Sequence, residues 1–132
     1  MTMFIDSSAL VEILTLAPGR QDMLDRIEAA ATNLSTNATV IYETTVVLAR
    51  KAEKDISTVR DFVLEFLDDL NVEISPITRA TAIAALDAFA HYGKGRHPAR
   101  LNFGDCFSYA GAKEVGLPFI YVGEDFAKTD LA

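Results

Sequence analysis

The run Met1-Thr2-Met3-Phe4-Ile5-Asp6-Ser7-Ser8-Ala9-Leu10 changes character at a single residue. Thr2–Ile5 is short, apolar and β-prone, and it ends abruptly at Asp6-Ser7-Ser8, residue types that cap the start of a helix. Ala9–Leu16 then carries Leu10, Ile13 and Leu14 at helical spacing until Pro18-Gly19 stops it. Short apolar strands that alternate with helices predict an α/β sandwich around a small parallel sheet. In such sheets, sites form beyond the carboxyl ends of the strands. Asp6 stands at one of those ends.

The same alternation continues outward from this junction. A second helix is expected over Gln21–Ala31, a short strand over Asn33–Thr36, and a long helix over Ala38–Lys54 capped by Thr36 or Asn37. Thr58–Leu70 repeats apolar residues at three- and four-residue steps, which predicts an amphipathic helix. Val72–Ser75 is a strand candidate ended by Pro76, and the alanine-rich helix Thr78–His91 is ended by Gly93. Gly93–Phe103, with two glycines, a proline and a concentration of basic side chains, is long for a connection in a compact domain. Asp105–Val115 reads as a helix capped by Gly116, and Pro118–Val122 as an apolar strand of buried type. No linker, repeat or low-complexity tract divides the chain, so residues 1–132 are expected to form one domain.

Composition limits what such a domain can do. Half of the 132 residues are hydrophobic, enough for a core, and this excludes a disordered acidic tail. Twelve Lys and Arg against nineteen Asp and Glu leave a net charge of −7, which excludes a protein that coats nucleic acid with a broad basic surface. One cysteine, Cys106, can form neither an internal disulfide nor a cysteine-based zinc site, and it reads as a small buried hydrophobe. The amino terminus lacks a basic segment followed by a long apolar one, and no apolar run approaches the ~20 residues needed to span a bilayer. A cytoplasmic location is the expectation.

Most of the acids sit in charged company at helical spacing and form solvated faces. Four do not. Asp6 is the only charged residue between Met1 and Val11, Glu43 the only one between Leu34 and Ala49, and Asp105 the only one between Leu101 and Ala112. Asp125 follows an uncharged run, with Glu124 alone beside it. A carboxylate in apolar surroundings is costly unless a cation or hydrogen-bond donors compensate it. Capping explains Asp6 or Asp105 singly, and a turn explains Asp125. Glu43 resists that treatment, because Val40, Ile41, Val46 and Val47 surround it on its helix. Asp6, Asp105 and Asp125 can meet at one sheet edge, with Glu43 leaning over it. Hard oxygen donors without His or Cys select Mg²⁺ or Mn²⁺ over zinc, and such a cluster suits metal-assisted phosphodiester cleavage.

The segment Lys94-Gly95-Arg96-His97-Pro98-Ala99-Arg100 holds three of the twelve basic residues just before Asp105. Lys94, Arg96 and Arg100 are candidate phosphate contacts; a solvated loop is the plain alternative. Ser7 and Ser8 are candidates to hydrogen-bond metal-bound water, though capping explains them equally. His97 reads as a surface histidine, His91 as a helix C-terminal contact, and Lys113 as part of a solvated helix end.

Four segments resemble the PIN-domain proteins, specifically the VapC toxins of type II toxin–antitoxin modules. They are Phe4-Ile5-Asp6-Ser7-Ser8-Ala9-Leu10, Tyr42-Glu43, the stretch from Arg96 through Asn102-Phe103-Gly104-Asp105-Cys106-Phe107, and Val122-Gly123-Glu124-Asp125-Phe126-Ala127-Lys128-Thr129-Asp130. The resemblance covers essentially the whole chain, and the last two segments are the specific ones. It implies a PIN-like three-layer sandwich with four or five parallel strands flanked by helices. It implies an endoribonuclease with Asp6, Glu43, Asp105 and Asp125 as the acidic quartet that holds Mg²⁺, with Glu124 and Asp130 near enough to substitute for Asp125. It implies homodimers and a small VapB-like antitoxin whose tail enters the acidic groove. Two other enzyme classes fit less well. A haloacid-dehalogenase-like phosphatase needs a second Asp two residues after the first, where Ser8 stands, and a receiver domain needs an acid after a central strand, where Ser75-Pro76 stands. A catalytically silent RNA-binding module is the non-enzymatic alternative, distinguished by the absence of chelator-sensitive cleavage.

Overall fold

The computed structural model describes residues 2–30, 33–116 and 118–131. Strand β1 (Thr2–Ile5) pairs in parallel with β2 (Asn33–Asn37) on one side and β4 (Phe119–Ile120) on the other, and β2 pairs in parallel with β3 (Glu73–Ser75). The order β3-β2-β1-β4 puts β1 in the interior of a four-stranded sheet. Its residues Phe4 and Ile5 are fully buried, as a strand covered on both faces requires.

Helices α1 (Ser7–Leu14), α2 (Arg20–Ala30), α3 (Ala38–Ala52), α4 (Ile56–Asp69), α5 (Arg79–Tyr92) and α6 (Phe103–Val115) cover the sheet. The core joins Phe4, Ile5 and Ile120 from the strands to Leu10, Ile13 and Leu67 from the helices. Each such side chain contributes about 1.5–3 kcal/mol of hydrophobic stabilisation. Helix α6 lies so close on β1 that a Cβ at Gly111 would collide with the Phe4 ring. No helix among the described residues is long and apolar enough to cross a membrane.

The expected elements are present, with shifted ends. Ala31, the expected end of the second helix, lies outside the described residues. Helix α1 stops at Leu14 rather than Leu16, whose φ of 56° is left-handed. Helix α4 starts at Ile56 because Asp55 caps it through the Thr58 amide. Helix α6 starts at Phe103, two residues before the expected start. Asn102 is its cap, and a reciprocal pair of bonds with Asp105 closes the first turn. β4 is reduced to two residues of the expected five.

The stretch after α5 is an ordered connection. Leu101 donates its amide to the Tyr92 carbonyl and accepts from Lys94, which ties the loop's two ends together. Ala99 and Leu101 are fully buried beneath it. His97 anchors it further, accepting from the Ala99 amide through Nδ1 at 3.0 Å and meeting the Tyr92 ring edge-on.

Candidate active site

In a parallel sheet every strand points the same way, so the helix that follows each strand begins at the same edge. That edge collects the four isolated acids. Asp6 directly follows β1 and caps α1, accepting from the Ser8 amide at 2.9 Å and the Ser8 hydroxyl at 2.5 Å. Its own amide donates to the Ile120 carbonyl of β4 at 2.9 Å. Glu43 stands in the second turn of α3, whose cap Asn37 ends β2. Asp105 is in the first turn of α6. Asp125 precedes a short 3₁₀ turn, Phe126–Lys128, beyond β4. Two of these acids, Asp6 and Asp105, therefore occupy α-helix N-termini, where the backbone dipole favours negative charge.

The four carboxylates line one cleft of about 280 Å³, with Ser7 and Ser8 in its wall. Asp6 is buried and Asp125 is exposed, so the cleft runs from the sheet edge out to solvent. Charge crowding is visible in the acids themselves. Burial above all pushes Asp105 up to about 7; the charges of Asp6, Glu43 and Asp125 add to it, against the lowering effect of the Asn102 amide. Glu43 is also raised, first by burial and then by Asp6, against a hydrogen bond from Ser7. Such shifts mark a place where excess negative charge awaits a cation or a proton.

The bonds that seat the two innermost acids each use one oxygen. Asp6 accepts through Oδ2 from Ser8, and Asp105 accepts through Oδ2 from Asn102 at 3.1 Å. The Oδ1 atoms take no part in these bonds. Capping and chemistry are thus not competing explanations for Asp6 and Asp105, since one oxygen serves each. Among the described residues, no three acidic, histidine or cysteine side chains converge closely enough to hold an ion as they stand. Four like charges without a cation repel, and the donor chemistry, all hard oxygen, fits Mg²⁺ or Mn²⁺.

Other expected contributors are placed differently. Lys94, Arg96 and Arg100 are exposed, and none lines the acid cleft; the Arg96 guanidinium lies 5.7 Å from the centre of the Phe89 ring on α5. Asp130 is engaged elsewhere, by the Lys113 ammonium at 2.6 Å and the Tyr109 hydroxyl at 2.5 Å, and Glu124 is exposed outside the cleft. Lys113 is therefore part of an ion pair rather than simply a solvated helix end. Asp125 is the acid of its segment that reaches the site.

One contributor was not singled out in the sequence. A Cβ at Gly104 would land on the Glu43 carboxylate, so Gly104 is the space into which Glu43 folds. Its place one residue before Asp105 is the only local signal of this.

Fold and cleft define the class of the molecule. The sequence profile of the PIN domain family matches residues 3–131. A VapC ribonuclease of Rhizobium meliloti (strain 1021) is 40% identical over 139 residues, spanning 97% of this chain and 98% of the relative. A VapC ribonuclease of Mycobacterium bovis is 39% identical over 130 residues, spanning 98% and 96%. The chain belongs to the PIN-domain family, in its VapC ribonuclease branch. Two solved structures share the fold. Mycobacterium tuberculosis VapC20, described as a sarcin-ricin loop cleaving toxin, superposes with a TM-score of 0.73 at 17% identity, covering 95% of this chain and 92% of that one. A toxin–antitoxin complex from Klebsiella pneumoniae gives 0.68 at 19% identity, covering 97% and 92%.

Proposed function

We propose that this chain is a Mg²⁺- or Mn²⁺-dependent endoribonuclease that serves as the toxin of a toxin–antitoxin pair. The observation that carries this reading is the meeting of four acids, seated on four different elements, around one cleft. A bound divalent ion would supply an acidified water and neutralise charge on the phosphate oxygens. Asp6 and Asp105 would hold it, with Asp125 completing or sharing a second position. Glu43, whose pKa burial and Asp6 push above the usual carboxylate range, is suited to accept a proton from the attacking water or to orient it. Ser8 fixes Asp6 while accepting the Val122 amide at 2.9 Å, which ties the β4 side of the cleft to α1.

Single-stranded or looped RNA is the substrate that suits a recessed cleft, because its backbone can be splayed into it. A small antitoxin and a second copy of the chain are the expected partners, and the reducing cytoplasm is the compartment that suits the lone free thiol of Cys106. The test is cleavage of RNA by the purified chain with Mg²⁺, with Mn²⁺ and with EDTA. Loss of activity in EDTA, and in Asp6→Asn with the circular dichroism spectrum unchanged, is expected. Cleavage that survives both EDTA and the substitution refutes the reading.

A further inference from the structure

Next to the acid cleft, and sharing Glu43 and Val47 with it, lies a second hollow of about 680 Å³. Tyr42 and Val46 of α3 form one wall, and Phe103 at the start of α6 forms another. Tyr42 and Phe103 are each 74% exposed, although aromatic rings of this size normally bury most of their area. Phe103 packs against the Phe107 ring, with ring centres 5.0 Å apart and planes tilted by 47°, which restrains it despite its exposure. The hollow contains no Lys or Arg, and Glu43 is its only charged residue. It suits a flat uncharged ring and repels a phosphate.

Resting on the ribonuclease reading above, we propose that this hollow stacks the nucleobase adjacent to the scissile phosphate, with Phe103 and Tyr42 as its platform. Covalent continuity argues for that occupant. A phosphate seated among the four acids has a nucleoside on each side, and the hollow with two exposed rings opens from the same Glu43 wall. Stacking on an aromatic face tolerates any base, so the site adds affinity and alignment at a fixed step from the cut. It also gives an acidic protein a way to hold RNA without a basic surface.

The experiment uses a short single-stranded RNA spanning a cleavage position mapped in total RNA. Versions with an abasic ribose directly 5′ or directly 3′ of the scissile phosphate are compared with the intact strand. For the native protein, base removal on one of the two sides is expected to raise KM about tenfold. Phe103→Ala is expected to raise KM for the intact RNA by a similar factor and to erase the abasic penalty, with Phe103→Tyr restoring both and Tyr42→Ala acting like Phe103→Ala more weakly. Cleavage indifferent to base removal on either side, or an abasic penalty that persists in full in Phe103→Ala, overturns the base site while leaving the ribonuclease reading intact. A halved molar mass of Phe103→Ala in light scattering with the abasic penalty unchanged assigns the hollow to a second copy of the chain instead. No cleavage of any RNA by the native protein overturns both readings together.

Discussion

Asp105→Asn should make the metal-free protein more stable while removing its activity. The folded state holds the Asp105 carboxyl up at about 7, against an ordinary 3.8. At pH 8 the carboxyl is ionised in both states, but in the native protein that charge is partly buried and crowded by other acids, a cost that unfolding relieves. At about 1.4 kcal/mol per pH unit, the ceiling of this effect is about 4 kcal/mol. Asp105 is only partly buried, and solvent screening reduces the figure to about 1–2 kcal/mol. Asparagine keeps an oxygen for the Asn102 amide, so the α6 cap survives. With an unfolding entropy of about 2.1 cal/mol/K per residue, 1 kcal/mol corresponds to about 4 °C in a chain of 132 residues, so Asp105→Asn should melt about 4–7 °C higher in EDTA at pH 8. The sign with pH follows from linkage. Because the folded pKa lies above the unfolded one, the native state binds the extra proton between about pH 4 and 7, and stability is lost as pH rises through that window. The advantage of the variant should therefore shrink at pH 5. Mg²⁺ should reverse the order at pH 8: at a hundred times its Kd a ligand adds about 2.7 kcal/mol to the native protein, and Asp105→Asn should gain little. Differential scanning calorimetry in EDTA and in Mg²⁺ makes the measurement. A lower melting point for Asp105→Asn in EDTA at pH 8, or an equal rise of both proteins with Mg²⁺, refutes the reasoning.

Three further outcomes are expected. Gly104→Ala should cost less than about 1 kcal/mol in urea denaturation, because the added Cβ meets only the movable end of Glu43, yet it should lower cleavage at least tenfold by displacing that carboxylate. Gly111→Ala should behave oppositely, losing about 1–3 kcal/mol because the Cβ meets the buried Phe4 ring, with specific activity of the folded fraction unchanged. Lys113→Met should cost no more than about 1 kcal/mol, since its ion pair with Asp130 is solvent-exposed, and hydrogen exchange should show looser protection confined to residues 126–131.

What the sequence determined by itself was local. Hydrophobic period and capping chemistry act over three or four residues, so the strand-to-helix junction at Asp6 and the helices from Ala38 to Val115 were legible without tertiary information. The isolation of Asp6, Glu43, Asp105 and Asp125 was legible for the same reason, because a lone charge in an apolar run needs compensation wherever it folds. The tertiary structure decided which groups meet. Lys94, Arg96 and Arg100 stand next to Asp105 in the chain, but backbone bonds between Tyr92, Lys94 and Leu101 close their loop on itself and leave them off the cleft. Asp130 stands close enough to Asp125 in the chain to substitute for it, but Tyr109 and Lys113 of α6 hold it elsewhere. Gly104 and the exposed faces of Tyr42 and Phe103 acquire meaning only when α3 and α6 pack side by side. Local pattern is set by bonds between near neighbours in the chain, whereas a site is a meeting of distant segments, and the packing that brings them together leaves no periodic trace in any one of them.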